Sequence, residues 1–283
     1  MILITGSSGF VGSNLIKQLM QKRKKFYGVD IKKSKYINFK NFTKLDLSDS
    51  KKVLQLFKKI KPKIVIHLAA ISGVKVCHDN KNLAFKNNVE TTFNVLMASK
   101  ELKCKNVLIA SSFAVEKFLS NPSFYAYTKK TCEDMIKIFK KYYKLNVAAM
   151  RFSNVFGPYS KHKSSAIHQM IKCLLNGKVF KIHGTGKQRR DFIYVGDLIK
   201  KINSICKNQH KKDSYNVNMS KTNSVKDIIN TLNELHNKKL KTKYVKPPPG
   251  YDVSFSGKFK ETKNQNLILN LKKTINWYNS KKI

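Results

Sequence analysis

The chain has 283 residues, with 57 lysines and arginines against 16 aspartates and glutamates, a formal charge of +41. No apolar run reaches the ~20 residues a bilayer span requires, and the N-terminal apolar residues lack the basic flank and cleavage site of a secretory signal, so neither membrane insertion nor export is expected. Five cysteines (Cys77, Cys104, Cys132, Cys173 and Cys206), odd in number and without a CxxC pair, point to reduced thiols in a cytoplasmic protein rather than to disulfides or a zinc site.

So basic a surface would suit nucleic acid. Yet the only arginines are Arg23, Arg151, Arg189 and Arg190, and the lysines lie in short groups along the whole chain. No zinc-finger, helix-turn-helix or RNA-recognition pattern accompanies them. The charge reads as compositional bias, and no specific nucleic-acid partner is expected.

In chain order, Met1–Thr5 reads as a short buried strand running into TGSSGFVG, Thr5 to Gly12. An apolar series at helical spacing follows: Val11, Leu15, Ile16 and Leu19. A strand passing through glycines into a helix directs backbone N–H groups and the positive helix end at one spot, and bare glycines let a pyrophosphate approach. A plain strand–helix turn would carry the same glycines. Asp30 narrows the choice: it ends a second apolar stretch, Phe26–Val29, at about the distance where a carboxylate takes the adenosine ribose hydroxyls.

Thr43–Leu47 reads as a third strand, Lys51–Lys59 as a helix and Lys63–Ala70 as a fourth strand apolar enough to be covered on both faces. Leu83–Leu102 reads as one long helix, Asn106–Ser112 as a fifth strand, Tyr125–Tyr143 as a helix and Asn146–Phe152 as a sixth strand. This alternation gives an α/β fold, a doubly wound parallel sheet with helices on both faces. Beyond Gly157-Pro158 the pattern loosens. Helices are expected at Ser165–Leu175, Tyr194–Ile205, Val225–Leu235 and Leu267–Tyr278, extended segments at Val179–Ile182 and Tyr215–Val217, and a rigid turn at Pro247–Gly250. The expected organisation is a dinucleotide-binding domain over 1–155 and a smaller substrate lobe over 156–283, with a segment near 190–206 returning to the first domain.

Tyr125 and Lys129 lie four apart at the start of a helix and so share one face, with Ser111 and Ser112 ending the strand before them. An ammonium beside a phenol favours the phenolate, and a serine hydroxyl can hydrogen-bond the substrate oxygen that the tyrosine deprotonates. In so lysine-rich a chain the pair alone would also suit an exposed helix face; in register with the glycine turn and Asp30 it reads as a catalytic set.

With these residues the chain resembles the extended short-chain dehydrogenase/reductase family, the NAD-dependent epimerases and dehydratases of nucleotide sugars. The matching motifs run nearly end to end: TGSSGFVG, Asp30, Leu45-Asp46-Leu47, HLAA (His67 to Ala70), Asn88-Val89, Ser111-Ser112, YAYTK (Tyr125 to Lys129), RFSNVFGP (Arg151 to Pro158), RRDFIYVGD (Arg189 to Asp197) and YNV (Tyr215 to Val217). The resemblance implies a Rossmann-type sheet with NAD as cofactor. Gly6, Gly9, Phe10, Val11 and Gly12 would meet the pyrophosphate, Asp30 the ribose, and Asp46 and Leu47 the adenine. Leu68, Ala69, Ala70 and Asn88 would line the path to the nicotinamide, and Lys129 would contact its ribose while poising Tyr125. Ser112, Tyr125 and Lys129 would be the catalytic set, with Ser112, Asn154 and Arg190 on a nucleotide-diphospho-sugar. It also implies a homodimer formed through the helices at 83–102 and 125–143.

Three departures from the family pattern stand out. Only twelve residues separate Ser112 from Tyr125. Glu116-Lys117 replace the common Tyr-Gly after the serine strand, and Glu116 reads as a solvated loop charge. Pro248 stands where an arginine for the second phosphate is usual, with Lys246 the nearest substitute. Phe113 and Ala114 occupy the places where the family's dehydratases carry a carboxylate pair, which argues against dehydration. What remains is reversible oxidation at one carbinol: a 4-epimerase of a UDP-sugar through a 4-keto intermediate, or a nucleotide 4-keto-sugar reductase or dehydrogenase. A non-catalytic NAD-binding regulator is the third reading, against which the Ser112, Tyr125 and Lys129 set speaks. The resemblance also implies a substrate role for Ser256: four residues on from Asp252, it matches a position where the family's 4-epimerases admit or reject a 2-acetamido group by side-chain size, and a slip of one at Tyr251 would put Phe255 there.

Overall fold

The computed structural model describes residues 1–247 and 265–280. The chain opens with β1 (Ile2–Thr5), α1 (Phe10–Gln21), β2 (Phe26–Asp30), β3 (Phe42–Lys44), α2 (Ser50–Ile60) and β4 (Ile64–His67). Helices α3 (Val74–Asp79) and α4 (Lys81–Phe85) lead through a π turn (Lys86–Glu90) into α5 (Thr91–Glu101). Then come β5 (Asn106–Ser112), a 3₁₀ turn (Phe113–Val115), α6 (Phe124–Tyr143) and β6 (Val147–Phe152). Next are β7 (Asn154–Phe156), α7 (Ala166–Leu175), β8 (Phe180–His183), β9 (Arg189–Tyr194) and α8 (Val195–Ile205). The described chain ends with β10 (Ser214–Val217), β11 (Thr222–Ser224), α9 (Val225–His236), β12 (Thr242–Val245) and α10 (Gln265–Ser280).

Two compact units result: Met1–Phe152 with Ile199–Val217, and Ser153–Leu198 with Asn218–Ile283. The first holds a seven-stranded parallel sheet in the order β10-β6-β5-β4-β1-β2-β3. Its central strands are apolar on consecutive residues because helices cover both faces: Leu3, Ile4, Val65, Ile66, Val107, Leu108, Val147 and Ala148 are all buried. Leu3, Val65, Val107 and Val147 pack against Phe57 of α2, Leu96 of α5, and Ile136 and Phe139 of α6. Strand order reverses between β1 and β4, so the turn after β1 opens at the crevice where doubly wound sheets bind ligands.

The second unit holds two small sheets. In one, β9 pairs parallel with β7 and antiparallel with β11; in the other, β12 pairs parallel with β8. Its core gathers Phe156, Met170, Ile171, Phe192, Ile228, Leu232 and Leu271.

Several elements differ from the sequence reading. The helix expected over 83–102 is broken by the π turn, because the amide of Asn88 faces inward to hold Ile71 and Thr128. Tyr194 ends a strand, and the helix after it starts at Val195. The third strand stops at Lys44, and Asp49 caps α2 by accepting from the Lys52 N–H at 3.0 Å. Strands β7, β11 and β12 run three or four residues, too short to carry a visible alternation. The turn expected at 247–250 lies, from Pro248 on, outside the described residues.

The closest backbone approach is where α1 leaves the glycine turn. A Cβ on Gly12 would lie 2.2 Å from the Gly6 carbonyl oxygen. Gly6 itself has φ +65°, and a Cβ there would meet the Ala69 nitrogen at 2.6 Å. Alanine at Gly12 must therefore push α1 off the sheet. Gly12→Ala should lower stability by about 2–3 kcal/mol, read as a lower urea midpoint at unchanged slope; an unchanged midpoint would show that the contact is dispensable.

Candidate active site

The turn after β1 is built from its backbone outward. Gly9 donates to the Gly6 carbonyl at 3.1 Å and caps α1 without a side chain, and the first bond of the helix runs from Ser13 N to Gly9 O at 2.9 Å. Packing forces glycine at positions 6 and 12. At Gly9 an added Cβ would meet only the Gly6 oxygen at 3.2 Å, so there the missing side chain leaves room for a ligand to come close. Ser8 N donates to Asp30 Oδ2 at 3.0 Å, and Ser8 Oγ donates to the Lys32 carbonyl, tying the end of β2 to the turn. Burial raises the Asp30 pKa, opposed by the N–H groups of Ser8, Lys32 and Ile31. A side-chain-free helix start beside a carboxylate at the tip of β2 fits the pyrophosphate and ribose of a dinucleotide.

Other residues expected along that path take varied roles. Asp46 is exposed and accepts from Ser48 N at 2.9 Å, which lowers its pKa. Leu47 is buried, with its carbonyl held by Asn94 Nδ2 at 2.9 Å. Leu68, Ala69 and Ala70 follow β4, and Ala69 N reaches Thr5 Oγ1 at 3.4 Å. Asn88 is fully buried: its Oδ1 accepts from Ile71 N at 2.8 Å, and its Nδ2 donates to Ile71 O and Thr128 Oγ1. The described Asn88 contacts thus shape the loop after β4.

Helix α6 presents Tyr125, Lys129 and Glu133 on successive turns of one face, toward the last three residues of β5. Tyr125 lies beside Ser112. Lys129 Nζ donates to the Ala110 carbonyl at 3.0 Å. Ser111 Oγ donates to Glu133 Oε1 at 2.6 Å. Ser112 Oγ also accepts from Ala114 N at 3.2 Å. Burial pushes the Tyr125 phenol up to about 12, opposed by the neighbouring Ser112. Burial likewise lowers the pKa of Lys129. The Lys129 ammonium is turned to the Ala110 carbonyl, and burial is what dominates the Tyr125 phenol.

Sequence reasoning missed the pair behind this face. Arg151 grips Glu133 with two nitrogens, Nη2 at 2.6 Å and Nε at 3.0 Å, a two-pronged charge-assisted contact. Its Nη1 reaches Glu116 Oε1 at 3.3 Å, which also accepts from Asn216 Nδ2 at 2.9 Å. Glu116, read from sequence as a solvated loop charge, is therefore a bridge. The available signal was Glu133, one helical turn beyond Lys129 on the face already identified.

In the second unit, Asn154 and Arg190 lie on neighbouring strands. Asn154 is in register with Phe192, two residues from Arg190, so both belong to one face of the β7–β9 pair. Asn154 Nδ2 donates to the Asp191 carbonyl at 3.1 Å and Arg190 Nη1 to the Arg189 carbonyl at 2.9 Å. Asp191 is buried and accepts from Ser153 Oγ, Met219 N and Lys221 N. Ser256, with Tyr251, Asp252 and Phe255, lies outside the described residues.

The model of the NAD-dependent epimerase/dehydratase family matches residues 2–218. The chain belongs to that family. It is 30% identical over 256 residues to a putative UDP-glucose 4-epimerase of Methanocaldococcus jannaschii, covering 82% of this chain and 81% of that protein. It is 29% identical over 272 residues to the UDP-glucuronate 4-epimerase of Thermodesulfobacterium geofontis, covering 86% and 83%. Among solved structures, the UDP-N-acetylglucosamine 4-epimerase of Methanobrevibacter ruminantium M1, in complex with UDP-N-acetylmuramic acid, superposes with a TM-score of 0.86 at 26% identity, covering 99% and 98% of the two chains.

Among the described residues of this family member, no group of three or more His, Cys, Asp or Glu side chains could hold a metal, and no helix is long and apolar enough to cross a membrane. The five cysteines form no disulfide.

His67, in the HLAA motif, is part of the site's foundation. It is buried between Thr5 Oγ1 at 2.7 Å and Thr92 Oγ1 at 3.2 Å. Burial, helped by Lys129, depresses its pKa to about 3. Unfolding between about pH 6.5 and 4 lets this histidine take up a proton that the folded state refuses, so stability is lost on acidification across that window. His67→Gln should flatten the pH dependence there by roughly 1.4 kcal/mol per pH unit, measured by urea unfolding at several pH values; an unaltered slope would mean that His67 is charged in the folded protein.

Proposed function

We propose that the protein is an NAD-dependent 4-epimerase of a nucleotide-diphospho-sugar, a UDP-sugar above all, working through a 4-keto intermediate. The observation that carries this reading is the Ser112, Tyr125 and Lys129 set, locked between β5 and α6 in the same unit as the glycine turn and Asp30. The relatives named 4-epimerases support it. So do the two residues directly after Ser112, neither of them an acid: Phe113 is buried in the 3₁₀ turn and Ala114 offers only its N–H.

The residues from Gly6 to Gly12 would hold the pyrophosphate, and Asp30 the adenosine ribose, where its charge disfavours a 2′-phosphate. When bound, oxidised NAD supplies a hydride acceptor and a cationic ring that favours the Tyr125 phenolate. Tyr125 takes the proton of the sugar hydroxyl as the carbinol is oxidised, and returns it once the keto sugar has turned over in the pocket. Ser112, beside the same phenol, would orient that hydroxyl. Lys129, anchored on Ala110, keeps positive charge beside the site. Asn154 and Arg190 would take the diphosphate, the arginine through charge-assisted hydrogen bonds.

Tyr125→Phe removes the proton acceptor and keeps the ring, so turnover should fall about 10²–10⁴-fold while NAD stays bound. Activity can be read on UDP-glucose and UDP-N-acetylglucosamine with product stereochemistry by NMR. Full activity in the variant would remove the mechanism, and a purified protein that exchanges its cofactor freely and yields only reduced sugar would turn the reading to a 4-keto-sugar reductase.

A homodimer belongs to the same proposal. Phe93 and Met97, one turn apart on α5, and Ile138 and Tyr142, one turn apart on α6, leave large apolar side chains exposed. Packing against a second copy would cover them. Light scattering should give twice the chain mass at micromolar concentration; a monomer there would refute this assembly.

A further inference from the structure

The unit that carries Ser112 and Tyr125 also carries a two-carboxylate clamp on one arginine. Ser111, Arg151 and Asn216 are direct register partners on β5, β6 and β10, so they form one row across the parallel sheet. Above this row sit two carboxylates of different kinds. Glu133 is buried, 5% exposed, and comes from the face of α6 that carries Tyr125 and Lys129. Glu116 is far more open and lies four residues beyond Ser112, directly after the 3₁₀ turn, where its own N–H closes onto the Phe113 carbonyl at 3.1 Å.

Glu133 fixes Arg151 from one side through Nε and Nη2, which leaves the guanidinium plane oriented and Nη1 aimed at Glu116. Asn216 Nδ2 holds the same oxygen of Glu116 from the neighbouring strand. The short segment that begins at Ser112 is thus tied to the sheet only a turn beyond the serine. Ser112 Oγ depends on that turn, because it accepts from Ala114 N inside it.

We propose that Glu116 is a positioning residue: through Arg151 and Asn216 it holds the turn after β5 so that the Ser112 hydroxyl stays aligned with the Tyr125 phenol. This rests on the reading of Ser112 and Tyr125 as the catalytic pair. Glu116 touches neither of them, and its effect is geometric. A half-open ion pair of this kind contributes little to folding, whereas a misplaced hydroxyl at the reacting centre costs rate steeply. The charge of Glu133 serves a different end. It is desolvated, so Arg151 is needed for it to be buried at all, and removing either is expected to weaken the fold as well as the site. That makes Glu116 the informative position.

The test uses the full chain loaded with NAD, with UDP-glucose and UDP-N-acetylglucosamine as probe substrates. Glu116→Gln should lower kcat about tenfold, with KM, retained NAD and the thermal midpoint unchanged. If it acts through the serine, the two substitutions are not additive: in a Ser112→Ala background the added Glu116→Gln should cost less than twofold. An equal loss in both backgrounds overturns the proposal, as does no loss in either, or a loss that follows a lowered thermal midpoint. Failure of the underlying reading looks different, since Ser112→Ala and Tyr125→Phe would then keep full turnover by themselves.

Discussion

The contact between Gly12 and the Gly6 carbonyl is the constraint from which the site follows. Two backbones meet at a distance no side chain allows, so α1 must begin hard against the end of β1. The same closeness draws in the segment after β4, whose Ala69 nitrogen lies where a Gly6 side chain would be. Three pieces of chain that diverge elsewhere are thereby fixed at the switch point of the sheet, where free backbone N–H groups suit an anion. Asp30 is placed by the same turn, since Ser8 holds it.

The opposite wall depends on how α6 lies along β5. Lys129 and Glu133 bond Ala110 and Ser111, and Tyr125 lies beside Ser112, so one face of the helix is pinned to the end of the strand. Burial favours the neutral forms of both the phenol and the lysine amine.

Much of this was legible in the chain itself. The glycine spacing, Asp30 and the helical interval from Tyr125 to Lys129 are local signals, and local signals survive in a sequence. The alternation of apolar strands and amphipathic helices likewise announced the parallel sheet. What could not be read there depends on register between distant segments. Arg151 meets Ser111 and Asn216 only because β6 lies between β5 and β10 in that alignment. Glu116 looked like a loop charge because its partners stand 35 and 100 positions away. The short strands β7 and β11 were invisible for a related reason: three residues become a strand only through the β9 neighbour they pair with.

The π turn at Lys86–Glu90 carries a consequence for how this chain can vary in length. It adds one residue to a helix that would otherwise run on, and lets the Asn88 carbonyl accept from Thr92 Oγ1 and Cys132 Sγ at once. Excising a single residue would mend the helical hydrogen-bond ladder and look harmless locally. It would also swing everything upstream by about 100°, carrying Leu83 and Phe85 away from their present faces and pulling Asn88 out of reach of Ile71. The irregularity works as a phase adjuster between two helical segments with different obligations, one to the loop after β4 and one to the flank of the sheet. Length changes at this point are therefore disallowed by rotation rather than by space.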